Sequence, residues 1–180
     1  MTSDLVEARA DNRAVKLSLP LAQNIHDALK QDAARNQREV TEHIQRILAE
    51  YAIDKKLIPQ EDAARLQLMW RLVERAVEAA QRICRDGGFS PAITLNAIRA
   101  CMEKPDWVAG YREFVQDDIY KNGNPLKGVI NREIGFRIRA GIGGKVVKTA
   151  DGKAATAKVL GEIIQSYTPM DAFDPKAVQA

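Results

Sequence analysis

Two cysteines, two histidines and the absence of any long apolar run close off much chemistry to this 180-residue chain. Cys84 and Cys101 lie far apart without a CxxC or Cys/His spacing, so buried, reduced thiols are expected rather than a disulfide framework or a zinc site. His26 and His43 each fall on an expected helix with no ligand partner one turn on. They read as exposed surface histidines, and no metal is expected. No stretch of about eighteen apolar residues offers a transmembrane helix. The opening MTSDLVEARADNR mixes acids with bases and lacks the apolar segment of a signal peptide. The glycines of GIGGK lack the spacing and the Ser/Thr of a phosphate-binding loop. No Ser/His/Asp or Cys/His set presents itself, and most Asp/Glu pairs fall in first turns of helices. An enzyme is therefore not expected, nor is a cofactor. Aromatic residues are few (6%), while the 46% hydrophobic share suffices for a core, as in helix-rich globular chains.

Charge is present but uneven. Residues 1–60 balance nine Lys/Arg against nine Asp/Glu, and residues 61–120 carry eight bases against ten acids. Residues 121–180 carry ten bases against five acids; within them, 121–158 holds nine bases with only Glu133 and Asp151 as acids. That asymmetry suits a surface that meets an anion such as phosphate, although solvated faces are also often basic.

From Arg13 to Pro20 the sequence alternates. Val15, Leu17 and Leu19 point one way and Ala14, Lys16 and Ser18 the other, the period-two signature of a half-buried strand. Pro20 ends the ladder and suits the first turn of a helix. Leu21, Ile25, Ala28, Leu29 and Ala33 then recur at helical spacing, and the helix is expected to end near Arg35-Asn36, Asn tolerating a left-handed terminus. A second helix is expected from Thr41 as N-cap, with Val40, Ile44, Ile47, Leu48 and Tyr51 as its apolar stripe. A lone strand leaves both edges open and is not a stable sheet. Pairing with the same strand of a second copy, antiparallel across a two-fold axis, solves this. The helices then cover the ribbon's inner face, and its outer face is free to enter the major groove of duplex DNA.

The stretch RNQREVTEHIQRILAEY (Arg35 to Tyr51), with KLSLP upstream, resembles the turn and second helix of the ribbon–helix–helix DNA-binding family, the Arc/MetJ type, and within it the Arc and Mnt phage repressors. The shared features are a polar turn, a hydroxyl residue followed by Glu, and apolar positions ending in an aromatic. The resemblance covers residues 12 to about 54. Asn36 stands where the family usually has Gly, and the first helix is about one residue longer than in Arc. The resemblance implies that Ala14, Lys16 and Ser18 face bases. Lys16 would donate to guanine, Ser18 would donate or accept, and Ala14 would offer apolar contact to a thymine methyl. It also implies that Thr41 and the N–H groups beginning the second helix clamp a phosphate, with Arg13 and Arg38 as further phosphate contacts. The expected partners are duplex DNA and a second copy of the chain, with higher-order assembly where dimers adjoin.

The expected organisation is a flexible arm over 1–11, the ribbon–helix–helix domain over 12–54, a linker over 55–60, a helical domain over 61–168 and a tail over 169–180. Glu61 and Asp62 open a helix whose apolar positions Leu66, Met69, Val73, Ala76, Ala80 and Ile83 have heptad-like steps. A core helix is favoured there over a second dimer seam. Gly87-Gly88 ends it, and Ser90-Pro91 reads as N-cap and first residue of the next helix. Pro105-Asp106-Trp107 starts another, with Trp107, Val108, Tyr111, Phe114 and Val115 as core. Residues 126–140 read as a helix with Val129, Ile130, Ile134 and Ile138 apolar. Two β-prone runs around Asp151-Gly152 read as a hairpin, followed by a short helix LGEIIQSY. The expected fold class is mainly α, an intermolecular two-stranded ribbon plus two helices followed by a helical domain with one hairpin. A basic helix followed by a basic hairpin is also the element order of a winged helix. On that reading Asn131, Arg132, Arg137, Lys145, Lys148 and Lys153 form a candidate second DNA surface. The alternative is a small α+β domain whose basic side is solvated or binds a protein.

These features lead to the expectation of a sequence-specific transcription regulator, in first place a repressor of phage or plasmid type, located in the cytoplasm with the nucleoid. An antitoxin that binds a protein partner through residues 61–168 is a second possibility, against which the folded character of 62–167 counts. A DNA-packaging or replication accessory protein with little sequence preference is a third.

Overall fold

The computed structural model describes residues 16, 18–36 and 38–178. Six helices, α1 (Gln23–Arg35), α2 (Val40–Asp54), α3 (Gln60–Arg85), α4 (Ile93–Met102), α5 (Pro105–Val115) and α6 (Pro125–Gly141), precede four short strands. These are β1 (Lys145–Val146), β2 (Ala157–Lys158), β3 (Ser166–Tyr167) and β4 (Met170–Ala172), and a 3-10 turn at Pro175–Val178 follows. Mainly helical architecture is thus established, with two small antiparallel sheets near the C-terminus, β1 with β4 and β2 with β3.

The axis of the fold is α3. Glu61 and Asp62 sit in its first turn and Arg82 and Arg85 in its last, each sign opposing the helix dipole. Its stripe of Leu72, Val73, Ala76, Ala79 and Ala80 is buried beneath α4, α5 and α6. A core helix is what the stripe builds, and its small residues let α4 and α6 approach closely. The end of α3 follows from local chemistry. Gly87 adopts φ +77°, its N–H bonds Cys84 O (3.2 Å), and Gly88 N–H bonds Ile83 O (2.9 Å), which closes the last turn as a Schellman motif. Gly87→Ala is expected to lower the unfolding free energy by about 1 kcal/mol, because a Cβ resists the left-handed region; urea denaturation measures it, and an unchanged midpoint would show that the turn tolerates Ala.

Around α3 the core is set by Trp107, Tyr111, Ile93, Ile98, Ile130, Ile134 and Ile138, all fully enclosed. Trp107 stacks on Tyr111 with ring centroids 5.1 Å apart, and its Nε1–H donates to Leu72 O at 3.0 Å. The Tyr111 hydroxyl donates to Asn131 Oδ1 at 2.8 Å, which joins α5 to α6. Both cysteines are buried and reduced. Burial pushes the Cys101 thiol up to about 11, which keeps it protonated near neutral pH.

Several boundaries differ from the sequence expectation. α1 starts at Gln23, because Ala22 is still extended (φ −61°, ψ 143°), so Pro20 precedes the helix. Asn36 closes α1 without a left-handed turn (φ −88°, ψ 8°), its side-chain amide donating to Asp32 O at 2.8 Å. Glu39, not Thr41, occupies the N-cap of α2, and Thr41 lies exposed in the first turn. Ser90 does not cap α4, which begins at Ile93; its hydroxyl instead receives Asn96 Nδ2–H at 3.0 Å.

The hairpin around Asp151-Gly152 forms only at its tip, where Lys148 bridges Ala154 and Thr149 N–H bonds Lys153 O at 2.8 Å. Below the tip, Val147 N–H turns to Pro169 O (2.9 Å), and β1 pairs with β4 in the register Val146↔Met170. Residues 160–164 do not form the expected helix. Leu160 is 96% exposed while Ile163 and Ile164 are both buried, a pattern that no single helix face produces, and Tyr167 belongs to β3. Residues 169–178 are packed on the body and not a free tail: Met170 and Val178 are buried, and Arg85 donates to Val178 O at 3.0 Å.

Candidate nucleic-acid interface and charged clefts

The expected reading strand lies at the edge of what the structure describes. Arg13, Ala14, Val15 and Leu17 fall outside the described residues, as does the arm over 1–11. Lys16 and Ser18 are exposed and belong to no helix or strand of the single chain. Behind them, α1 and α2 pack on each other through buried Ala33 and His43. The sequence places His43 at the surface; it is buried instead because its face of α2 meets α1, where His43 Nε2 lies 2.8 Å from Asp32 Oδ2. His26 is exposed as expected.

Other apolar residues of the two helices and their flanks are exposed, although Leu29, Val40, Ile44 and Ile53 are half-buried. Leu19, Leu21, Ile25, Ile47, Leu48, Tyr51 and Leu57 are each more than a third exposed, and they make up seven of the ten large exposed hydrophobic side chains among the described residues. Leu21, Ile25, Ile47, Leu48 and Tyr51 belong to the helix stripes expected from the sequence, and Leu19 to the inward side of the expected strand. Exposed apolar side chains are thus concentrated between Leu19 and Leu57.

The other side of α2 is fastened to the body by charge. Arg137 of α6 is buried and donates to Glu42 Oε1 at 3.0 Å. Arg38 and Arg46 both reach Glu74 of α3, at 3.4 and 3.5 Å, and the Arg46 guanidinium lies 3.4 Å from the centre of the Trp70 ring. These groups surround a cleft of about 240 Å³ between α2, α3 and α6. Arg38 is therefore turned inward, its side chain 15% exposed, and burial, then Arg137 and Arg46, hold its guanidinium below the ordinary value. A phosphate role for it requires release from Glu74. Arg137, expected on a DNA-facing surface, is engaged with Glu42 instead.

Glu133 borders the same cleft. Burial, then Glu42, pushes its carboxyl up against the pull of Arg137 and Arg38. A carboxyl raised in the folded state binds its proton more tightly there than in the unfolded chain. Its contribution thus favours folding at low pH and is lost as pH rises from the unfolded value through the raised folded one. Glu133→Gln is expected to raise the thermal midpoint near about pH 7 and to change it little near about pH 4. An equal shift at both would place the effect outside this titration.

The basic C-terminal third divides in two. Lys145, Lys148 and Lys153 are exposed on the β1 strand and hairpin, with Lys153 Nζ 2.9 Å from Asp151 Oδ2. Asn131 and Arg132 line a separate and larger cleft of about 640 Å³ between α4, α6 and the 164–168 segment. Asn131 is half-buried there, accepting from Tyr111, with its Nδ2 3.4 Å from Ile163 O, while Arg132 is exposed. Sequence patterning did not single out Lys127, Phe136 or Tyr167 as parts of this cleft, because three separate segments assemble it.

Among the described residues no His/Cys/Asp/Glu group is placed to hold a metal ion, and no helix is long and apolar enough to cross a membrane. Compared with known proteins, the chain matches no family model, no curated protein and no solved structure.

Proposed function

We propose that the chain is a sequence-specific DNA-binding regulator, a repressor in first place, that acts as a ribbon–helix–helix dimer. The observation that carries the reading is the uncovered apolar face of α1 and α2, preceded in sequence by an alternating strand pattern. A second copy whose strand pairs with residues 14–19 would bring two such faces together and cover them. The outward Ala14, Lys16 and Ser18 would then read base edges, and the exposed start of α2 around Thr41 would meet a phosphate.

Selection of bound sequences from random duplex DNA tests this directly, and an inverted repeat is expected. Lys16→Ala is expected to reduce discrimination between the selected site and a mismatched one by about tenfold, within the roughly 1–3 kcal/mol of a good base contact. Thr41→Ala should instead weaken all sites alike. Tyr51→Glu, placed on the uncovered face, should give a monomer by sedimentation that has lost operator binding but retains its helical signal. If that variant remains dimeric and binds DNA normally, the ribbon assignment is wrong.

A further inference from the structure

The 640 Å³ cleft has the size of small-molecule sites rather than of a packing defect. Its lining includes Lys127, Arg132 and Arg139 and not one Asp or Glu. Several cations elsewhere in this protein are paired with acids, as Arg75 is with Asp106 and Arg99 with Glu162. Lys127 is buried, and its ammonium donates to Lys121 O at 2.9 Å within the field of Asp118 and Asp117, so Arg132 and Arg139 are the cations left to meet an anion in the cleft.

Two glycines sharpen the case. Gly128 and Gly135 stand inside α6, where glycine weakens a helix. Neither has a positive φ, and a Cβ at either would meet nothing within 4 Å. Neither backbone conformation nor packing requires them, yet both line the cleft, two turns apart on one face of α6. What they do is keep that face low. The lining also includes apolar Ile98, Phe136, Ile164 and Met170, and the polar residues Thr156, Ser166 and Thr168.

We propose that this cleft binds a small organic phosphate, the anion held by Arg132 and Arg139 at the α6 face and a ring or apolar part lying over the surface that Gly128 and Gly135 leave open. The assignment stands on the C-terminal body alone and does not depend on the DNA reading of residues 12–54.

Calorimetric titration of the full chain with adenosine monophosphate, ribose 5-phosphate, inorganic phosphate and citrate tests it. Saturable one-to-one binding of at least one organic phosphate is expected, tighter than inorganic phosphate, which lacks the apolar part, and tighter than citrate. Arg132→Ala should weaken it by about tenfold or more, the loss of one charge-assisted hydrogen bond. Gly135→Leu should abolish it while the thermal midpoint stays or rises, since Leu favours the helix and has open space. Three results would overturn the proposal: no saturable binding at millimolar concentration, binding unaffected by Gly135→Leu, or displacement of the organic phosphate by citrate at equal concentration. Loss of DNA binding in Tyr51→Glu with phosphate binding intact would separate this site from the ribbon.

Discussion

Trp107→Ala is expected to lower the unfolding free energy by about 3–5 kcal/mol, the range for truncating a fully buried aromatic. Trp107 has no exposed surface, stacks on Tyr111 and donates its indole N–H to Leu72 O. Removing the ring takes away three things at one point: the apolar area, the stacking on Tyr111 and the tie from α5 to α3. Tyr111 in turn holds Asn131 of α6, so the hole would open where three helices meet. Since a domain of this size is stable by about 5–15 kcal/mol, the loss consumes a large part of the whole. Trp107→Phe should cost distinctly less, because it keeps most of the stacking and loses only part of the volume and the N–H donor. Urea denaturation followed by circular dichroism decides the matter, provided that the slope is unchanged. A cost below about 1 kcal/mol for the alanine variant would mean that the core can collapse around the site.

Arg137→Met should have the second-largest effect, about 3 kcal/mol. That is the low end for breaking a buried ion pair, since the Glu42 side chain keeps 23% of its exposure. Most of the cost comes from what remains behind. Among the described residues Glu42 Oε2 has no hydrogen-bond partner, and the variant would strip its Oε1 of the guanidinium as well. The double variant Glu42→Gln/Arg137→Met should recover most of the loss, because the stranded charge goes with its partner. The pair joins the N-terminal helices to the body, so the single variant should also loosen α2 from α6. Hydrogen exchange at α2 amides is expected to accelerate while that of α3 changes little. If the double variant is as unstable as the single one, packing and not charge is what Arg137 supplies.

How much could be read in advance depended on the range of the interactions concerned. α3, with its acid-opened and glycine-closed helix, was legible because caps, dipole and stripe all lie within a few residues of one another. Trp107, Tyr111, Phe114 and Val115 were legible as core for the same reason. The strand pairing was not. Val147 is followed by a good hairpin turn, yet its amide goes to Pro169, more than twenty residues on, and nothing in the local alternation carries that choice. Arg137 misled for a related reason. Periodicity places it beside the buried stripe of Ile130, Ile134 and Ile138, but its partner Glu42 lies on another helix far back in the chain. His43 likewise found its carboxylate on α1. Of the larger cleft, Asn131 and Arg132 were legible as part of a basic face, whereas the space before them exists only once α4, α6 and β3 have met. The glycines of α6 looked like weak points of a helix until the room beside them was visible.

The chain's two tryptophans occupy places that make them separate optical probes. Trp107 is sealed in the core, whereas Trp70 is half-buried under the Arg46 guanidinium at the seam between α2 and α3. Opening of the core should shift Trp107 emission to the red. Lifting of α2 should change Trp70 alone, since the cation over its ring departs with the helix. With Trp107→Phe to silence the first signal, intrinsic fluorescence would follow the seating of α2 on the body, with no attached dye.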